Sequence, residues 1–149
     1  MARIRTILVA VDFSPHADRA LETAVELAKI FGSKVHLLHC YQLNLGGISP
    51  YGLAIPENFD RDVRIAAQRK LDEWGEKVRA EGVEVEGHVS PMFPGMTISA
   101  TAEEIGADLI VMGTRGLTGL KHVLLGSVAE RTIRVAVCPV LTVKVAEQD

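Results

Sequence analysis

Aromatic residues are scarce, at 5% of 149 residues, and positive charge is not in excess: Lys and Arg number 16 against 19 Asp and Glu, a formal net charge of −3. Both shortages argue against the same class of partner. Holding a nucleic-acid backbone takes a cationic surface, and holding single strands takes aromatic stacking platforms. Nucleic acid is therefore not an expected partner. Cysteine is limited to Cys40 and Cys138, far apart, inside apolar segments and in no CxxC pattern. They read as reduced, buried thiols of a cytoplasmic protein. No apolar run approaches the ~20 residues that span a bilayer, so no membrane segment is expected. The N-terminal "MARIRTILVAVDF" reaches Asp12 too soon and lacks a small-residue cleavage pattern, so it reads as a first strand and not as a signal peptide.

Hydrophobic residues are abundant, at 48%, with charged residues at 23%. A chain of this length and composition can bury a proper core, and one domain is expected over residues 1–149. Five apolar runs stand out: Ile4 to Val11, Lys34 to Cys40, Val83 to Val89, Asp108 to Gly113 and Pro139 to Val145. Helical spacing separates them. Ser14 and Pro15 start the first helix, Ala17, Ala20, Leu21, Ala24 and Ala28 repeat along it, and Gly32 ends it. A second helix is predicted from Phe59 to Ala80, a third near Met96 to Ile105, and a fourth from Ser127, which has capping-box spacing to Glu130. Alternation of this kind predicts an α/β fold: one open five-stranded parallel sheet with helices on both faces. The first and fourth runs are almost wholly apolar, as central strands must be, whereas "VEVEGHV" alternates like an edge strand. The predicted strand order is 3-2-1-4-5. Strands 1 and 4 then flank the topological switch point, where ligands bind beyond the carboxyl ends of the strands.

One stretch falls at that point. "GTRGLTGLKHVLLGS", Gly113 to Ser127, holds four glycines in fifteen residues, although each glycine costs conformational entropy on folding. It is neither a Walker A loop nor a GxGxxG fingerprint. Exposed backbone N–H groups together with a helix N-terminus would suit phosphate. The same residues could instead serve a long connection ending in an ordinary N-cap, with Gly126 and Ser127 closing it. Position at the switch point favours a ligand.

The blocks "ILVAVDFS", "LLHC", "ADLIVMGTRG", "LLGSVAE" and "CPVLTV", with the spacing Gly113, Gly116, Gly126, Ser127, resemble the universal stress protein family over nearly the whole chain. The resemblance implies a homodimer and binding of ATP or a related adenine nucleotide, with Mg²⁺ or Mn²⁺ carried by the nucleotide. By the same resemblance, Asp12 would meet the adenine and ribose end, with Ala10, Val11 and Cys40 around the base. Met112 and Gly113 would pack near the ribose, Gly116 would lie close to the phosphates, and Gly126, Ser127 and Val128 would cradle them.

The remaining residues narrow the chemistry. Asp12 ends a buried strand, where a carboxylate needs a partner; a phospho-acceptor role would require a second acid beside it and an aspartate after strand 3, where Ser90 stands. Ser127 and His122 lack the GxSxG elbow of a hydrolase. Arg115 and Lys121 could neutralise phosphate charge. His16, His36, His39 and His88 show no ligand spacing along the chain, so no structural metal site is expected from them. Tyr41 to Asn58 is a long, apolar connection suited to a lid or a partner surface. The last strand, Val140 to Val145, would be an apolar sheet edge able to pair with a second copy.

Together these features lead to the expectation of a cytoplasmic, nucleotide-dependent stress-response or regulatory dimer with an unknown protein partner. No general base is evident, so hydrolysis would be slow at most. Two alternatives stand beside it: a nucleotide-free dimeric interaction module, and a slow ATPase or autophosphorylating enzyme.

Overall fold

The alternation of apolar runs and helical segments produces nine elements among the described residues: β1 (Thr6–Ala10), α1 (Pro15–Phe31), β2 (Lys34–Cys40), α2 (Phe59–Ala80), β3 (Val85–Ser90), α3 (Pro94–Ile105), β4 (Leu109–Gly113), α4 (Ser127–Val135) and β5 (Val140–Val143). The structure is a computed structural model and describes residues 3–41, 58–116 and 125–145. All strand pairs are parallel, in the order β3-β2-β1-β4-β5. This is the expected sheet.

Strand alternation divides the core into two layers. Ile7 and Val9 of β1, Val35 and Leu37 of β2 and Val111 of β4 point to the side of α1 and α2, where Ala20, Ala24, Leu71, Trp74 and Val78 meet them. Leu8, Leu38, Ile110 and Met112 point to the other side, against Ile98 and Ala102 of α3 and Ala129 of α4. Burial on both faces explains why β1 from Ile7 onward and β4 are apolar. In β3 only Val85 is fully buried, while Glu86 and Gly87 are exposed.

Local chemistry sets most helix ends. Ser14 caps α1 by accepting a hydrogen bond from the Ala17 N–H at 3.1 Å, Pro15 follows, and Gly32 closes the helix with φ of 69°. α2 has no side-chain cap, but Asp60 and Asp62 lie in its first turn and Lys77 and Arg79 in its last, each matching the helix dipole. Two starts differ from expectation. α3 begins at Pro94, two residues before Met96, because proline's fixed φ suits a first helical position. In α4 the N-cap is Gly126 and not Ser127. The Gly126 N–H donates to the Thr114 carbonyl at 2.6 Å, a tertiary bond that fixes where the helix turns in.

Candidate functional site

Parallel register brings the carboxyl ends of β1 and β4 side by side, with Val9 opposite Val111. Beyond Ala10 the chain passes through Val11 and Asp12 to Phe13, which adopts φ of 63°. A bulky residue in the left-handed region is strained, and packing holds it there. The Phe13 ring lies 4.4 Å from that of His39 and 5.3 Å, edge-on, from that of Trp74, with Lys70 Nζ 4.7 Å from its centroid. This turn presents Asp12 to the crevice.

Asp12 is tied on one oxygen and close-packed on the other. Its Oδ1 accepts from the Ser14 N–H at 3.0 Å and from the Ser14 hydroxyl at 2.5 Å, so the residue that caps α1 also fixes the carboxylate. Its Oδ2 lies where a Cβ on Gly116 would come within 2.4 Å. The segments that follow β1 and β4 thus approach closely across the crevice, with the Asp12 carboxylate against Gly116.

The other glycines of the cradle have equally specific neighbours. A Cβ on Gly113 would meet His16 Cβ at 2.7 Å, and one on Gly126 would meet the Thr114 carbonyl oxygen at 3.2 Å. Among the described glycines only Gly32, Gly82 and Gly106 have positive φ. Gly113, Gly116 and Gly126 therefore serve close approach and not turn geometry. Near them two buried polar atoms, His16 Nδ1 and Thr114 Oγ1, have no hydrogen-bond partner among the described residues.

α4 supplies donors to the same place. With a glycine N-cap and no side-chain cap, the first-turn N–H groups of Ser127, Val128 and Ala129 have no acceptor within the helix. Ser127 is exposed at the first helical position. An anion placed here would gain backbone donors and the positive end of the helix dipole.

Of the residues expected around the base, Ala10 and Cys40 pack against the core layer under α3 and α4, as do Met112 and Val128 from the expected ribose and phosphate contacts, whereas Val11 belongs to the layer under α1 and α2. Burial pushes the Cys40 thiol up to about 11, so it is a neutral lining group and not a nucleophile. His39 Nδ1 lies 2.7 Å from the Val11 carbonyl. A carbonyl only accepts, so Nδ1 carries the hydrogen. Burial lowers the His39 pKa, which favours this neutral form.

Arg115 is half-buried beside Gly126. Lys121, His122 and most of the connection from Tyr41 to Asn58 lie outside the described residues. Ser14, His16 and Thr114 were not among the expected site residues; the proline-marked helix start and the "GTRG" block were the signals that could have pointed to them.

A cavity of about 730 Å³ opens at the opposite, amino-terminal end of the sheet, bordered by Arg3, Arg5, Lys29 and Lys34. Two of its cations are already committed, Lys29 to Glu81 and Lys34 to Glu86. The switch point and the α4 N-terminus are at the other end.

Comparison with known proteins shows the family and the fold. A family model described as the universal stress protein family matches residues 3–144. The universal stress protein YxiE of Bacillus subtilis is 34% identical over 148 residues, covering 93% of this chain and 97% of the relative. The solved structure of MJ0577, a universal stress protein of Methanocaldococcus jannaschii, superposes with a TM-score of 0.86 at 28% identity and covers 99% of this chain and 100% of that one. A universal stress protein from Archaeoglobus fulgidus, solved in complex with dAMP, gives a TM-score of 0.68 at 29% identity, with 95% and 98% of the two chains covered.

Proposed function

Because the chain belongs to the universal stress protein family, we propose that it binds an adenine nucleotide, ATP in the first place, at the carboxyl ends of β1 and β4. The observation that carries this reading is the cradle itself. Gly116 lies against the fixed Asp12 carboxylate, and Gly126 opens a helix whose first-turn N–H groups have no acceptor among the described residues. The dAMP complex of the Archaeoglobus relative supports the ligand class.

In this reading the triphosphate lies over Gly116 and against the N–H groups of Ser127 and Val128, and Arg115 offsets its charge. The base lies toward Ala10, Val11 and Cys40, the ribose lies by Met112 and Gly113, and Asp12 accepts from the sugar or base edge. Mg²⁺ or Mn²⁺ arrives with the phosphates, because the chain's contribution here is N–H donors and not a set of oxygen ligands. Any hydrolysis is slow.

The protein acts as a cytoplasmic homodimer joined through the last strand. β5 lies at the sheet edge, and Leu141 on it, with Ile133, Val135 and Val137 just before it, is an exposed apolar residue. An apolar edge strand of this kind favours pairing with a second copy. Among the described residues no helix is long and apolar enough to cross a membrane. Nucleotide occupancy then changes the surface offered to a protein partner.

Calorimetric titration of nucleotide-stripped protein with ATP and Mg²⁺, beside Gly116→Val, tests the proposal. Saturable binding that is lost in a folded Gly116→Val variant is expected. No binding by folded wild type would leave the dimeric interaction module as the reading.

A further inference from the structure

Parallel register also assembles a group that spacing along the chain conceals. His36 of β2 is opposite Glu86 of β3, and His88 stands two residues further on, so all three side chains rise from the same face of the sheet. His36 Nδ1 lies 2.9 Å from His88 Nε2 and 3.9 Å from Glu86 Oε2. One ligand atom from each residue lies within 4.8 Å of the other two. The imidazole rings are nearly parallel, 13° apart with centroids at 5.2 Å. His36 is buried, His88 half-buried and Glu86 exposed, so one side of the cluster is enclosed and the other is open to solvent.

We propose that His36, Glu86 and His88 form a binding site for a divalent transition metal, zinc in the first place, which ties the edge strand β3 to β2. Two imidazoles and one carboxylate with a fourth position left to water are a zinc donor set. Two nitrogens on one tetrahedral zinc are about 3.3 Å apart, given bonds of 2.0–2.1 Å. The His36–His88 pair therefore opens by only a few tenths of an ångström to admit the ion. At present one ring nitrogen donates a hydrogen to the other. On binding, the donor ring carries its hydrogen on its other nitrogen, both lone pairs turn to the metal, and no net charge is moved.

Lys34 is the competing group. Its Nζ is 2.9 Å from Glu86 Oε2 and 3.9 Å from Glu84 Oε1. It is partly exposed, at 34% of its side-chain surface, and can swing to Glu84 when Glu86 turns to a metal. Its positive charge weakens the site, and removing it strengthens binding.

The test is a competition titration of the tag-free, full-length protein with Zn²⁺ against a chromophoric chelator, followed by Co²⁺ substitution and visible spectroscopy. One equivalent of zinc is expected, with intense tetrahedral cobalt bands. His88→Ala and Glu86→Gln each weaken zinc by at least about tenfold, and Lys34→Ala tightens it. Glu86→Gln changes only an exposed side chain, so its result does not depend on a disturbed core. Absence of a stoichiometric site in folded wild type, weak octahedral cobalt bands, or affinity unchanged in either ligand variant would overturn the assignment. Affinity unchanged or lowered in Lys34→Ala would overturn the role given to Glu86.

Discussion

Adding one methyl group at Gly116 should destabilise the fold through Asp12, which among the described residues is the neighbour it would meet. A Cβ there would stand 2.4 Å from Asp12 Oδ2, where real Cβ contacts essentially never fall below 3.0 Å. Asp12 cannot swing aside freely, because its other oxygen holds both the Ser14 N–H and the Ser14 hydroxyl. Overpacking of this kind costs about 1–3 kcal/mol, and each hydrogen bond to a carboxylate given up in relief costs about 1.5–3 kcal/mol. Gly116 does not have positive φ, so backbone strain adds nothing. Gly116→Ala should therefore lose about 1–3 kcal/mol in urea denaturation. In an Asp12→Gly background the same change should cost at least about 1 kcal/mol less, the coupling expected of residues in contact. An equal cost in both backgrounds would refute the close approach and, with it, the shape given to the crevice.

Ser14 has two tasks, so Ser14→Ala should exceed an ordinary cap loss of about 1 kcal/mol and reach about 2–3 kcal/mol by urea denaturation, because Asp12 also loses the Ser14 hydroxyl as a donor and keeps only the backbone N–H. A cost under 1 kcal/mol would contradict the dual role. Burial lowers the His39 pKa below 6.5, with the Val11 carbonyl and Asp12 pulling upward and Lys70 adding to the lowering. The unfolded chain then binds more protons than the folded one between the two pKa values, so stability is fully present above about 6.5 and declines as pH falls through it. The melting temperature should drop between pH 7 and 5, less so in His39→Gln, whose amide can still donate to Val11; equal slopes would dismiss His39 as the cause. Half-buried and with its thiol raised to about 11, Cys40 should react with Ellman's reagent at pH 8 far more slowly than an ordinary exposed thiol, and more slowly still with ATP bound. Fast labelling of Cys40 in the native protein would contradict its place in the lining.

How far the sequence reached follows from the kind of interaction that decides each feature. Strand order was legible because it leaves a mark on composition: β1 and β4 are apolar on both faces, whereas charged residues alternate along the start of β3. The caps of α1 were legible because Ser14 and Gly32 act within one turn. The N-cap of α4 was not, because it depends on the Gly126 bond to Thr114, thirteen residues before the helix begins. The cradle glycines were located by pattern, but their reason was not: close contacts with His16, Asp12 and Thr114 are tertiary. Phe13 carries no sign of its left-handed conformation, since Trp74 and His39 hold it from elsewhere. The His36, Glu86 and His88 group was invisible for the same reason, being a product of register between β2 and β3.

Backbone amide ¹H–¹⁵N shift mapping during titration with ATP and Mg²⁺ tests the central claim most directly, because two ends of one sheet compete for the ligand. The account predicts that the largest changes fall on Asp12, Thr114 to Gly116 and Ser127 to Ala129. Changes concentrated instead on Arg3, Arg5, Lys29 and Lys34, around the cavity at the amino-terminal end, would contradict it.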